Sequence, residues 1–317
     1  MPYNDIISRT DAASRIPEEV SNAMLKNLTS ESAARGLFKR VPVGAAQTRF
    51  PVLSALPIAY WVTGDTGQKQ TSEVNWANKY INIEEIAVIV PIPENVVDDV
   101  SFDVWGEVQP LIEQAIGRTL DAAVFFGTGA PGTFPTNVVA AAIAAGNVVA
   151  RGANNSAAGG LVGDIGDMIG LAEDDGYDLR SGIAARSLRG LARKARNVDG
   201  VRHAEIEISA DSLEIDGVDF AFPMRGQWPT GLSQPQALAF DPEEFVLGIR
   251  QDITYKLLDQ AVIQDGAGAI IYNLPQQDMV AMRCVFRAGW QVANTINYDR
   301  PVESQRYPAS VMRTPAV

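Results

Sequence analysis

The sequence predicts an α+β protein, because stretches with the period of a helix and stretches with the period of a strand occupy separate parts of the chain. Residues 101–126 place apolar side chains three or four positions apart, as a helix with one buried face does. Residues 204–224 and 280–286 instead alternate in the manner of strands. Residues 54–86 have strand-like ends around a polar centre, which predicts a long hairpin.

The bulk composition excludes several classes of protein. The chain has 317 residues, of which 46% are hydrophobic and 20% charged, so it is predicted to be globular, with about two domains. It has no run of 18 apolar residues and no apolar signal core at its start, which argues against a membrane span and against secretion. Cys284 and His203 are the single residues of their types, so we expect no internal disulfide, no usual zinc site and a reducing cytoplasm. A carboxylate-only site for magnesium or calcium stays open.

The net charge of −12 gives the chain no general attraction for the phosphates of a nucleic acid. The charge is uneven, because residues 1–50 carry seven Lys and Arg against five Asp and Glu, a net of +2. A slightly basic arm on an acidic body is either a docking device for another copy or an ordinary solvated terminus.

The N-terminal region predicts a short helix without an evident partner. Residues 1–16 are polar and predicted to be extended, and residues 17–28 then carry an apolar stripe that includes Met24 and Leu25. A helix of this length is not stable alone in water, so it needs either the body of the chain or a neighbour to lie against.

The predicted hairpin has a similar need. Its polar centre lies between the strand-like segments AYWVT and YINIEEIAVIVPIP, and a two-stranded ribbon cannot bury one of its faces by itself. Trp61, Trp76 and Tyr80 are therefore predicted to contact a second surface. The alternative is that they pack on the body of the same chain.

The predicted helix 101–126, with Ser101 as a possible cap and Asp103 in its first turn, ends at a string that spells a nucleotide motif. Gly127, Gly129 and Gly132 fit the pattern G-x-G-x-x-G. In a dinucleotide site those glycines leave a strand and open a helix, whereas here a helix precedes them.

Two further features of this string argue against a nucleotide. Pro131 and Pro135 follow at once, from which we expect that no helix opens after the loop. Residues 140–163 contain no acid to hold a ribose. The string is predicted to be a helix-terminating turn, and a nucleotide-binding enzyme that uses Gly127–Gly132 is the remote alternative.

Further helices and strands complete the pattern. Residues 161–178 predict a second amphipathic helix, and residues 181–200 predict a third, which carries basic residues that include Arg189 and Arg193. The basic face is either a nucleic-acid site or a solvated or intersubunit face, and the missing aromatic residues and acidic surroundings favour the second. Cys284 shares a strand face with apolar residues, so it is predicted to be in the core and not a nucleophile.

This order of segments resembles the major capsid proteins of tailed bacteriophages, which have the Hong Kong 97-type fold. The resemblance covers nearly the whole chain, and no single motif carries it. The matching pieces, in order, are the N-terminal arm, the E-loop-like hairpin 54–86, the spine helix VSFDVWGEVQPLIEQAIGRTLDAAVFFGTG, the axial-domain helix ARSLRGLARKARNVDG, the strand–turn–strand ALAFDPEEFVLGIRQDITYKLLDQA and the last peripheral strand VAMRCVFRAGWQVAN.

The resemblance implies a division of the chain into the family's parts. These are an N-terminal arm 1–48, an E-loop hairpin 54–86, a peripheral domain with the spine helix made of 49–53, 87–140 and 275–317, and an axial domain 141–274.

The implied function is structural and not enzymatic. Copies of the chain would form hexamers and pentamers that tile an icosahedral head shell around double-stranded DNA, without sequence-specific DNA binding, cofactor, metal or membrane. The protein would be made in the bacterial host cytoplasm and end in the virion. The intersubunit contact candidates are Met24, Leu25, Trp61, Lys69, Trp76, Tyr80, Arg189 and Arg193.

Some relatives join an E-loop lysine to an asparagine of a neighbour, and Lys69, Asn294 and Asn297 are the residues here that such a link would use. We expect no cross-link, because no matching glutamate aligns. A separate scaffold, decoration or portal protein is a further possible partner, since the arm has no charged helical preface. The alternatives are an encapsulin-type compartment shell and a DNA-binding module at residues 186–196.

Overall fold

In the computed structural model of the chain, the structure describes residues 32–59, 61–62, 68–69, 71–99, 103–201, 203–209, 212–229 and 234–315. The helices of these ranges are α1 Ala33–Leu37, α2 Glu94–Asp99, α3 Val104–Asp121, α4 Val138–Ala145, α5 Leu161–Asp174 and α6 Arg186–Lys194. The strands are β1 Lys39–Pro42, β2 Gln47–Ala55, β3 Asn75–Asn82, β4 Glu84–Pro93, β5 Val148–Ala150, β6 Ser181–Ala184, β7 Ile206–Ile208, β8 Ser212–Ile215, β9 Val218–Ala221, β10 Pro235–Phe240, β11 Phe245–Leu258, β12 Val262–Gln264, β13 Ile270–Asn273, β14 Met279–Val292 and β15 Ala309–Arg313. This mixture of helices and strands confirms the predicted α+β class.

The strands form two main sheets and two separate hairpins. The four-stranded sheet has the order β1-β11-β14-β4, and the seven-stranded sheet has the order β5-β15-β10-β6-β9-β8-β7. β2 pairs with β3, and β12 pairs with β13. The long antiparallel pair of β11 and β14 forms the centre of the smaller sheet, and β10, with every residue buried, lies near the middle of the larger one.

Two apolar clusters hold these layers together. The first joins α3 and α4 to both sheets and contains five buried phenylalanines; among them, Phe38 is stacked on Phe245 at 5.0 Å and edge-on to Phe125 and Phe240 at 5.5 Å. The second lies on the other face of the seven-stranded sheet, beneath α5 and α6. The middle of that sheet is therefore covered on both faces, which explains why β10 does not alternate.

The long helix has the predicted position, with a different start and an unusual end. Asp103 caps α3 by accepting a hydrogen bond from the backbone N–H of Trp105 at 3.1 Å, a role that the sequence analysis assigned to Ser101. Ser101 lies outside the described residues. At its end the helix widens into a π-turn, Ala122–Phe126, and stops at Gly127, whose φ of 72° is the left-handed value that favours glycine.

Three local predictions were wrong. A helix does open after the glycine string, because Asn137 caps α4 with its side chain, although it begins only after Pro135. Ile183 lies in strand β6 and not in the third amphipathic helix, which begins at Arg186. The described part of AYWVT is not a strand, and the ladder of the hairpin instead joins β2 to β3, with Leu53 opposite Trp76.

Strand pairing crosses several of the predicted domain boundaries, and β2 Gln47–Ala55 itself spans the limits predicted at residues 48/49 and 53/54. β11 lies within the predicted segment 141–274, yet it joins β14 and β4 in the four-stranded sheet. β15 lies within the predicted segment 275–317, yet it sits between β5 and β10 in the seven-stranded sheet. The chain therefore passes from the larger sheet to the smaller one after β10 and returns after β14.

Candidate functional site

The hairpin β2–β3 exposes aromatic side chains where a stable two-stranded ribbon would need to bury them. Trp61 near the tip is 99% exposed, Trp76 on β3 is 67% exposed and Tyr80 is 44% exposed. At the base, Val52 and Ile81 are buried. The described residues of the body do not bury these three side chains, as the alternative of packing on the same chain would require, and they remain candidates for contact with another subunit.

Polar contacts fasten the hairpin to the body along its length. Lys79 forms an ion pair with Glu303, and the Tyr298 hydroxyl donates a hydrogen bond to the carbonyl oxygen of Pro57 at 3.0 Å. The Gln291 side chain donates to the carbonyl oxygen of Tyr80 at 3.1 Å. These contacts fix where the hairpin leaves the body, while its aromatic tip stays uncovered.

The residues that a cross-link would use are not adjacent in the chain's own structure. Lys69 is exposed in the segment between the two strands. Asn294 is buried, accepts a hydrogen bond from the Tyr177 hydroxyl at 2.8 Å and donates to the carbonyl oxygen of Arg306 at 3.3 Å. Asn297 donates to the carbonyl oxygen of Asp175 at 2.7 Å. Both amides already hold loops of their own subunit, and the expectation of no cross-link stays a prediction.

The predicted contacts Met24 and Leu25 lie outside the described residues. The described chain begins at Ser32, and there a buried carboxylate ties it to the end of the long helix. Asp121 accepts hydrogen bonds from the Ser32 hydroxyl at 2.5 Å and from the backbone N–H groups of Ala33 and Ala34, each at 2.9 Å. Burial raises the pKa of Asp121 to about 6, although its hydrogen bonds pull the other way. Asp121 was not among the predicted site residues, because an aspartate late in an amphipathic helix has the sequence pattern of a solvated face.

The basic face of α6 is on the surface. Leu188 and Ala192 point into the second apolar cluster, and Arg193 on the opposite side is exposed. Arg189 is half-buried, donates a hydrogen bond to the carbonyl oxygen of Ser209 and lies over the ring of Phe222, 5.7 Å from its centroid. Arg189 therefore serves its own subunit in part, while Arg193 is free to meet another molecule.

The glycine string is a turn without a phosphate cradle. Gly127 and Thr128 donate their backbone N–H groups to the carbonyl oxygens of Ala123 and Ala122, and Ala130 donates to Gly127. An added Cβ at Gly127 would lie 2.5 Å from the amide nitrogen of Asn137. The helix geometry and the close approach of Asn137 account for the glycine, so the string does not support a dinucleotide site.

Elsewhere, polar side chains that could take part in chemistry are paired with other side chains of the same subunit. A groove of about 510 Å³ beside α3 has Arg35 paired with Asp252 at 2.9 Å and the Tyr255 hydroxyl donating to Glu113 at 2.7 Å. Cys284 is buried beside it, and burial raises the pKa of its thiol, which disfavours the nucleophilic thiolate. Across the described ranges no group of three metal-ligating side chains is found, and no helix is long and apolar enough to cross a membrane.

A second hairpin, which was not predicted, exposes apolar side chains. β12 and β13 pair with each other, outside both main sheets, and expose Val262, Ile270, Ile271 and Tyr272. The signal was present as the apolar run AIIY after a glycine-rich turn.

Known phage proteins resemble this chain in sequence and in fold. The family model described as "Phage capsid family" matches residues 13–296. A solved structure from Microbacterium phage Oxtober96 has a TM-score of 0.84 and 38% sequence identity, and covers 98% of this chain and 100% of its own. One from Mycobacterium phage Adephagia has a TM-score of 0.82, 32% identity and 99% coverage of both chains. The curated "Major capsid protein" of Staphylococcus phage 80alpha is 24% identical over 298 residues, which are 92% of this chain and 86% of that protein.

Proposed function

The chain belongs to the phage capsid family, and from that premise we propose that copies of it associate as hexamers and pentamers that close into an icosahedral head shell around phage DNA. The protein is a structural subunit and not an enzyme. The relatives that support this function are phage proteins, which favours a head shell over an encapsulin-type compartment.

The observation that carries the proposal is the aromatic surface of the hairpin. A monomer gains nothing from holding Trp61 and Trp76 in water, whereas aromatic residues of this kind supply much of the binding energy when an interface covers them. The polar contacts that hold the hairpin on the body leave both tryptophan rings exposed, so a neighbouring subunit can cover them. Several such modest contacts per subunit suffice, because closure of a shell multiplies them.

We assign the family's parts to the two sheets with boundaries that differ from the predicted ones. The axial domain is the seven-stranded sheet with α5 and α6, and it includes β15 but not β11. The peripheral domain is the four-stranded sheet with α3, and it includes β11 and β14. The E-loop is the segment from β2 to β3.

The proposed partners follow from charge. A chain with net charge −12 repels packaged phosphates, so the shell encloses DNA without binding its sequence. Synthesis takes place in the host cytoplasm, and the finished protein resides in the virion head. A scaffold, decoration or portal protein joins the assembly as a separate chain.

The first test is to express the chain alone and analyse it by negative-stain electron microscopy with light scattering. We expect closed shells, rings or tubes of megadalton mass. If only monomers are found, a second expression with the neighbouring head genes of the same phage should yield particles that contain the chain. A chain that stays monomeric in both experiments contradicts the proposed function, and particles filled with one cargo enzyme would favour the compartment.

A further inference from the structure

The seven-stranded sheet ends in three strands whose second face exposes side chains that no other described residue buries. In β7, β8 and β9 the inward residues, such as Ile206, Leu213 and Phe220, pack in the cluster beneath α5 and α6. The outward residues alternate with them and are exposed; they are Glu207, Glu214 and Asp219. An acidic face therefore lies on the side of the sheet that points away from α6.

The three carboxylates stand in register across the strands. Glu207 is opposite Glu214, and Glu214 is opposite Asp219. Like charges at directly opposed positions destabilise a sheet. Among the described residues, none of the basic side chains forms an ion pair with any of the three. The isolated chain therefore holds a row of repelling charges that a positively charged partner would relieve.

A matching surface lies on the other side of the same layer. Leu188 and Ala192 turn α6 toward the sheet, so its other face carries the exposed residues Arg186, Arg193 and Lys194. The guanidinium of Arg186 also lies over the ring of Phe222, 5.9 Å from its centroid. Within the described part of the chain these three cations form no ion pair with a carboxylate. The helix thus carries unpaired positive charge, and the far side of the sheet carries unpaired negative charge.

These two surfaces cannot meet within one chain, because the helix and the sheet lie between them. They can meet between two copies when the sheet face of one lies against the helix face of the next. We propose that this contact, the acidic row of β7–β9 on the basic face of α6 of a neighbouring copy, joins adjacent subunits around each hexamer and pentamer. The proposal rests on the proposed function and adds the surfaces that set neighbour and register.

The geometry fits a ring. Two different patches that point in opposite directions make a heterologous contact, and repetition of such a contact closes into a ring when the rotation per subunit divides the circle. Because each subunit carries one acidic and one basic face, every subunit in the ring meets a face of opposite charge on both sides. Since the contact joins opposite charges, screening by salt should weaken it.

The test reverses each face separately and then both together. The sheet reversal is Glu207→Lys, Glu214→Lys and Asp219→Lys, and the helix reversal is Arg186→Glu, Arg193→Glu and Lys194→Glu. Each reversal alone gives a subunit with two faces of one sign and should lower the yield of assembled particles by about tenfold or more. The chain with both reversals should assemble within about twofold of the unchanged chain, because complementarity is restored.

A matched control separates this contact from net charge. The variant Glu94→Lys, Asp98→Lys and Asp99→Lys changes three exposed carboxylates of α2 in the same way and should leave the particle yield unchanged. Thermal unfolding of every variant checks that it folds. A neutral sheet variant, Glu207→Gln, Glu214→Gln and Asp219→Asn, should raise the melting temperature of the unassembled subunit while lowering assembly, since it removes both the repulsion and its relief.

Each outcome decides between the proposals. An unchanged chain that forms no particles contradicts the proposed function. If it assembles and the folded single reversals assemble equally well, only the present inference is overturned. Failure of the folded double reversal to recover, or an equal loss with the α2 control, also overturns it. So does a helix reversal that abolishes DNA binding while the sheet reversal changes nothing.

Discussion

Aromatic side chains occupy opposite environments in the body and in the hairpin. In the body, Phe38, Phe240 and Phe245 are buried and lie within 5.5 Å of one another, centroid to centroid. In the hairpin, Trp61 and Trp76 have most of their surface in water. The apolar surface of the body stabilises the subunit, whereas that of the hairpin contributes only when another molecule covers it. Four experiments test which residues stabilise the isolated subunit and which act only in assembly. They follow in decreasing order of their expected effect on the stability of the subunit.

The largest effect is expected from the phenylalanine cluster. Phe240→Ala should lower the free energy of unfolding of the isolated subunit by about 4 kcal/mol, because it leaves a cavity among rings that cannot collapse into it. Phe50→Ala, the same change on the half-buried strand β2 of the hairpin, should cost about 1 kcal/mol or less. Denaturant unfolding of both variants measures the contrast, and equal losses would contradict it.

The second effect comes from pH and Asp121. Its pKa in the folded chain is about 6, above the ordinary 3.8, so the folded state holds the proton more tightly than the unfolded state does. The contribution of Asp121 to the free energy of unfolding is therefore largest below about pH 4. It falls by about 3 kcal/mol as the pH rises through about 6.

The matched control for that prediction is Asp121→Asn, which cannot ionise. The difference in unfolding free energy between the two chains, measured from pH 4 to pH 7, isolates Asp121 from Asp241, whose pKa burial also raises. Parallel pH profiles of the two chains would show that Asp121 does not titrate in this range.

The third effect is local to the turn after α3. Gly127→Ala should cost about 1 to 2 kcal/mol, because alanine is strained at a φ of 72° and its Cβ would press on Asn137. Gly132→Ala, in the same glycine string, meets no atom within 4 Å and should change stability by less than about 0.5 kcal/mol. Thermal unfolding measures both, and equal costs would contradict a purely conformational role for Gly127.

The smallest effect on the stability of the subunit is expected from the hairpin, where the change should instead lower assembly. Trp61→Ala with Trp76→Ala should change the unfolding free energy by less than about 0.5 kcal/mol, since neither ring is buried. The same chain should assemble about tenfold less well or worse, as counted by electron microscopy. Leu111→Ala, an exposed apolar change on α3, serves as the control for both measurements. A large loss of subunit stability would place the tryptophans in the core.

Local periodicity was sufficient to predict much of the fold. The stripe of α3, the stripe of α5 and the buried face of β14 with Cys284 all lie where apolar spacing placed them. The C-terminal glycine of α3 was predicted too, because the left-handed turn depends on the residue itself and not on a distant partner.

The failures have a common cause in contacts between distant parts of the chain. AYWVT has strong strand propensity, yet pairing is decided by which segment can lie in register with β3, and that segment is β2. Asp121 was invisible for the same reason, since its three donors come from residues 32–34, more than 80 positions away. The assembly surfaces are harder still to predict from the sequence, because the residues that contact them belong to another copy of the chain.

The place of β15 inside the seven-stranded sheet has a consequence for synthesis. β15 fills the gap between β5 and β10, so β10 presents an unpaired edge until residue 313 has left the ribosome. About 70 residues separate β10 from β15, which at 5–20 residues per second is roughly 4 to 14 seconds of translation. Throughout that time an almost wholly apolar strand can pair with the same strand of a neighbouring nascent chain on the polysome. We therefore expect that slower reading of codons 241 to 313 lowers the share of chains that become available for assembly.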